Sequence, residues 1–122
     1  MALNRRLSFA AFFLFAVPVS LDAQYSVEIE NVQLARSLAG VVVDFSGAPI
    51  PRVLVEEFSP DWKESLRSTM TDAKGSFAFS PVKDRNVYYF QLRLNGFNPL
   101  RVRVKVARKR GRELRLTLEV AA

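Results

Sequence analysis

The stretch Thr71–Pro81, TDAKGSFAFSP, sets a turn directly against an alternating run. Asp and Thr cap turns by accepting hydrogen bonds from backbone N–H groups ahead of them. Gly75 suits the left-handed position that ends a type I turn with a G1 bulge, a common way to join two antiparallel strands. Beyond it, Phe77 and Phe79 fall on one face of a strand and Ser76, Ala78 and Ser80 on the other, because side chains alternate with period two. The stretch predicts a β-hairpin that sends two phenylalanines into a core. Asp72 and the nearby threonine hydroxyls are also potential calcium ligands, but the ion takes about six to eight oxygens, and this segment offers too few.

The same grammar repeats along the chain. AGVVVDF (39–45) is a β-branched run closed by Ser46-Gly47. PIPRVLVEEF (49–58) places two prolines ahead of a strand, where their missing N–H groups do no harm. LRSTMT (66–71), SFAFS (76–80), VYYFQLRL (87–94), LRVRVKVA (100–107) and RELRLTLEV (112–120) complete seven short strands with turn residues between them. No segment requires a helix. Many short strands at this spacing predict an all-β sandwich or small barrel.

The first part of the chain reads differently. Arg5 and Arg6 precede an apolar run, Leu7–Val19, and a small residue follows at Ala23. A basic start, about 7–15 apolar residues and a small residue make a secretory signal peptide. The run is shorter than the roughly 20 residues of a membrane-spanning helix. The expected organisation is therefore a signal peptide over 1–23, a linker or loosely attached first strand over 24–37, and a β domain over 38–120. Export to a periplasmic, extracellular or cell-envelope location follows, with membrane contact only in transit through the signal peptide. The sequence contains no cysteine, so an oxidising compartment would supply no disulfide and packing alone must hold the domain.

The chain also contains no histidine. That removes the Ser-His-Asp and Cys-His arrangements of nucleophilic catalysis and the usual zinc sites. Paired carboxylates remain as acid–base candidates. Glu56 and Glu57 are neighbours on one strand and point to opposite faces, and both read as solvated residues at a sheet edge. Asp61 and Glu64 lie in a polar loop. The expectation is a protein without catalysis and without a cofactor.

AGVVVDFSGAPIPRVLVEE followed by TMTDAKGSFAFSPV, then YYFQLRLNGFNPLRVRV and LRLTLEV, resembles the carboxypeptidase regulatory-like domain. Gly40, Val42, Asp44, Gly47, Pro49, Val53 and Val55 fit the opening motif of that family. Thr71, Asp72, Gly75, Phe77 and Phe79 fit its central hairpin, and Tyr89 with Gly96-Phe97 fits its later part. The resemblance implies a seven-stranded antiparallel β-sandwich, transthyretin-like with immunoglobulin-like topology and grouped with starch-binding-like folds. Members of the family are appended to secreted peptidases, outer-membrane receptors and adhesins, and are usually non-catalytic. The histidine-rich cluster of the hydroxyisourate hydrolases, which share a similar fold, has no counterpart here.

Three surface features are candidates for binding. Trp62, in the loop SPDWKES, can stack on a sugar ring or fold back to close one end of the sandwich. Tyr89 and Arg93 share the face of their strand opposite Tyr88, Phe90, Leu92 and Leu94, which read as core; the family resemblance implies a structural tyrosine at Tyr89. Arg101, Arg103 and Lys105 alternate with Val102, Val104 and Val106, while Arg108, Lys109, Arg110 and Arg112 crowd a turn before Arg115. Read as a hairpin, these strands would place Arg101, Arg103, Lys105 and Arg115 on one solvent face. Such a face attracts anionic polymers or serves as a charged surface that blocks edge-to-edge aggregation. Basic strands alone carry no base readout, and with an export signal they argue against nucleic acid as a partner. The leading expectation is an exported module that binds carbohydrate or another envelope polymer. The alternative is a structural domain that docks on a secreted or envelope protein.

Overall fold

The computed structural model describes residues 26–122. The signal-peptide reading falls on residues 1–23 and lies outside the described residues. The described residues form eight strands: β1 Val27–Glu28, β2 Gln33–Val43, β3 Leu54–Phe58, β4 Ser65–Met70, β5 Ser76–Ala78, β6 Val87–Arg93, β7 Leu100–Val106 and β8 Arg112–Thr117. Among the described residues there is no helix. The protein is an all-β sandwich, approaching a barrel.

One layer runs β4-β3-β6-β7, with antiparallel pairing throughout. Its edge is extended by β1 and the first residues of β2, both parallel to β7. Strand β2 then bends across the top of the sandwich between Ala35 and Gly40 and joins the second layer, where β5 flanks it on one side and β8 on the other. The sheet is therefore mixed, where the sequence predicts a purely antiparallel one. The parallel pairs arise because the 107–111 connection follows β2 over the same end. Ala107 N–H donates to Ala35 O at 2.7 Å there. A Cβ on Gly111 would overlap the Ala35 backbone, so this crossing needs a residue without a side chain.

The residues expected as a linker or loosely attached first strand carry β1 and the start of β2. Ala35 and Leu38 belong to the core, at 0% and 3% exposure. The rest of the core follows the period-two pattern. Tyr88, Phe90 and Leu92 from β6 meet Val102 and Val104 from β7, with Val42, Leu114 and Leu116 facing them from the second layer. Phe77 is buried, and Phe79 stacks on Phe90 with ring centroids 5.1 Å apart.

Two aspartate turns link the layers; the hairpin expected across the Asp72 turn does not form, because β4 pairs with β3 in one layer and β5 with β2 in the other. Asp72 Oδ1 accepts from Lys74 N–H and Ser76 N–H, each at 2.9 Å, and Gly75 sits at φ +74°. Asp44 Oδ1 does the same for Ser46 and Ala48, with Gly47 at φ +89°. These hydrogen bonds stabilise the ionised carboxylates. Asp44 is held below the ordinary carboxylate pKa first by the Ser46 hydroxyl, and Asp72 first by the Ser76 N–H. Thr71 is buried beside the second turn, where its hydroxyl accepts from Val53 N–H and donates to Ile50 O.

Glu57 departs from its expected place. It lies on the inner face of β3, 1% exposed, rather than on a solvated edge. Its two oxygens accept from Arg67 Nε and Arg85 Nη1, both at 2.6 Å. The guanidinium of Arg67 also stacks on Phe79, 4.9 Å from the ring centroid. A buried carboxylate persists when it is paired and hydrogen-bonded, and β4 and the 82–86 loop each bring one arginine to this one.

Candidate functional site

The outer face of the first layer gathers most of the candidate residues. Register sets their rows: Phe58 pairs with Tyr89 and Tyr89 with Arg103; Glu56 pairs with Gln91 and Gln91 with Arg101; Leu54 pairs with Arg93. All of these side chains lie opposite the core positions of their strands.

Trp62 reaches this face from the loop between β3 and β4. Its N–H donates to Ser59 O at 2.8 Å, and Asp61 Oδ1 accepts from Lys63 N–H and the Ser59 hydroxyl. These bonds, the Ser59 hydroxyl foremost, lower the Asp61 pKa. The turn leaves Trp62 at φ +64°, a left-handed conformation that costs a residue with a side chain roughly 1–2 kcal/mol. The indole is thereby laid over the sheet. It meets Tyr89 edge-on at 5.5 Å and Phe58 at 6.0 Å. Arg101 places its guanidinium 4.7 Å from the centre of the Trp62 ring and donates from Nε to Gln91 Oε1 at 3.0 Å. Trp62 therefore covers the outer sheet face, neither standing free in solvent nor plugging an end of the core.

The remaining candidates divide. Arg103 lies beside Tyr89 and donates to Glu30 O. Arg93 pairs with Glu56 at 2.9 Å, two residues along its strand from Gln91. Lys105 is exposed at the end of β7. Arg115 does not join them. It stands on β8, whose partner is β2 in the second layer. The expected β7–β8 hairpin is absent because β2 lies between the two strands, so the basic residues divide between the two outer faces.

The sequence reading passes over Phe58 and Gln91 as site residues and takes Glu56 only as a solvated carboxylate. Their signal is the alternation of β3 and β6, which puts them on the side away from Val55 and Phe90. What it lacks is the register that sets Gln91 opposite Arg101. Chemically, the face offers aromatic rings for contact with the C–H surface of a ligand, a guanidinium already partly desolvated by stacking, and an amide and a phenol as hydrogen-bonding groups.

Residues 37–119 match the family model of the carboxypeptidase regulatory-like domain. No curated protein matches the chain.

Proposed function

Since the chain belongs to the carboxypeptidase regulatory-like domain family, we propose that it is an exported, non-catalytic β-sandwich module that binds an acidic polysaccharide of the envelope or the extracellular space. The ligand lies along the outer face of β3, β6 and β7. The observation that carries this reading is the seating of Arg101 over Trp62, 4.7 Å from its ring centre. A tryptophan held in a left-handed turn to support an arginine on an outer sheet face does little for the core. It does present a ring and a cation side by side, which suits a sugar carrying a carboxylate or sulfate. Arg103 and Lys105 extend the positive charge along β7.

Trp62 is the single tryptophan of the chain, so its fluorescence reports on this face alone. Polygalacturonate should quench or shift the emission at low salt, and neutral starch should not. The response should fade as salt rises, because exposed charges are screened over about 8–10 Å at physiological ionic strength. Arg101→Ala with Arg103→Ala should remove it. An emission spectrum indifferent to acidic polymers at low salt overturns the reading.

A second reading rests on β4, which among the described residues pairs with β3 alone. Its Leu66 and Met70 are 42% and 56% exposed. An open strand edge beside exposed apolar side chains suits strand addition by a secreted protein partner. A partner that still binds the Arg101→Ala, Arg103→Ala variant would favour this mode.

A further inference from the structure

At the end of the outer face away from Trp62 lies a cleft of about 440 Å³, within the usual size range of small-ligand sites. Its apolar walls include Leu54, Met70, Phe97 and Pro99, and two arginines, Arg52 and Arg93, border it. Met70 stays 56% exposed, leaving an apolar surface beside two cations.

Arg52 is held there by an unfavourable backbone. It follows Pro51 in a tight turn and has φ +62°, a conformation that favours glycine. Its N–H donates to Thr71 O at 3.0 Å, which ties the turn to the end of β4. Among the described residues it forms no salt bridge, while Arg93 shares its charge with Glu56 and keeps 51% of its side chain exposed. Backbone strain of this kind clusters at ligand clamps and other functional sites. The rim thus carries two guanidinium groups against one carboxylate.

We propose that this cleft binds a carboxylate attached to an apolar group, with Arg52 and Arg93 receiving the carboxylate and Leu54, Met70 and Phe97 receiving the apolar part. Guanidinium forks match carboxylate geometry and form charge-assisted hydrogen bonds. The apolar walls discriminate against inorganic phosphate and against hydrophilic anions. A peptide C-terminus and a free aryl or alkyl acid both present this chemistry. The proposal is independent of the polysaccharide reading, since the cleft lies two residues along each strand beyond the Gln91–Arg101 pair.

The test is an amide NMR titration of the whole chain with three probes: N-acetyl-Leu-Phe as the free acid, the same peptide as its C-terminal amide, and 3-phenylpropionate. The acid should shift the resonances of Arg93, Gly96 and Phe97. The amide should bind about tenfold more weakly, as expected for loss of a hydrogen bond to a charged group. Phenylpropionate binding as tightly as the peptide acid assigns the cleft to free organic acids, and tighter binding of the peptide assigns it to a C-terminus. Arg52→Gly removes the guanidinium at a position whose φ suits glycine. It should keep or raise the melting temperature and weaken the acid about tenfold. Equal binding of acid and amide, no shifts from any probe, or undiminished binding by Arg52→Gly overturns the proposal. A change in Trp62 emission with these probes would place the ligand on the aromatic face and overturn it as well.

Discussion

Trp62 occupies in its turn the place that Gly75 occupies in the Asp72 turn. Each donates its N–H to the carbonyl three residues back, and their φ values are 64° and 74°. One position is filled by the residue that the backbone prefers and the other by a bulky residue that it disfavours. The difference separates a turn that serves the core from a turn that serves the surface.

Trp62→Gly should therefore leave stability nearly intact. It loses the contacts with Phe58, Tyr89 and Arg101 but relieves the left-handed strain of roughly 1–2 kcal/mol. An unfolding free energy from urea titration within about 1 kcal/mol of the parent, together with lost binding of polygalacturonate, is the expected pair of results. A large loss of stability would make Trp62 a structural residue.

Gly75 is the opposite case. A Cβ there would lie 2.6 Å from Val42 O and 3.1 Å from Ile50 N, groups that belong to the β2 edge and the 44–50 loop. Gly75→Val combines this clash with backbone strain and should cost about 3 kcal/mol or more. Lys74→Val should cost less than about 1 kcal/mol, since a right-handed turn position accepts most residues. Chemical denaturation of the two variants checks the contrast.

Glu57 bridges Arg67 and Arg85 from inside the sandwich. Glu57→Gln should cost about 3 kcal/mol, because it leaves two guanidinium groups without a counter-charge. Replacing all three at once, with Glu57→Met, Arg67→Leu and Arg85→Leu, should recover most of that loss, since buried ion pairs often exchange for apolar packing at little net change. A triple variant no more stable than Glu57→Gln would mean that the arginines act through other contacts.

Acid should weaken the fold through its turns. The Asp44, Asp61 and Asp72 carboxylates are held below their ordinary pKa by hydrogen bonds from their own loops, led by Ser46, Ser59 and Ser76 respectively. A depressed pKa in the folded state means that the unfolded chain takes up protons first as pH falls. The stability these groups contribute is complete above about pH 5 and declines through and below about pH 4. Melting temperatures measured across that window should fall more steeply for the parent than for a variant with all three aspartates changed to asparagine.

Much of this architecture is legible in the sequence. Alternation marks Tyr88, Phe90 and Leu92 as interior, and the Asp72–Gly75 spacing gives the turn, although the strands it joins pair elsewhere, β4 with β3 and β5 with β2. Both are local signals. The course of β2 is not legible, because parallel pairing with β7 and β8 joins segments far apart in the chain and leaves no short-range trace. That gap explains the misplacement of Arg115: two alternating segments joined by RKRG read as a hairpin unless β2 is known to lie between them. Glu57 escapes for a related reason. Its burial depends on arginines brought in by β4 and by the loop before β6, and no periodicity announces such a meeting. The Arg101–Trp62 contact likewise needs the register of β3, β6 and β7 together.

The bend in β2 also has a consequence for the order of assembly. Its second half pairs with β8, the last of the eight strands, so synthesis places almost the entire domain between the two partners. Until β8 arrives, one flank of β2 is bare, and Leu114, Leu116 and Leu118 are missing from the core. Closing so distant a pairing is slow relative to local contacts. A nascent chain of this kind stays open until its final strand is made, and a chain cut before Arg112 should be digested by proteases that leave the complete domain intact.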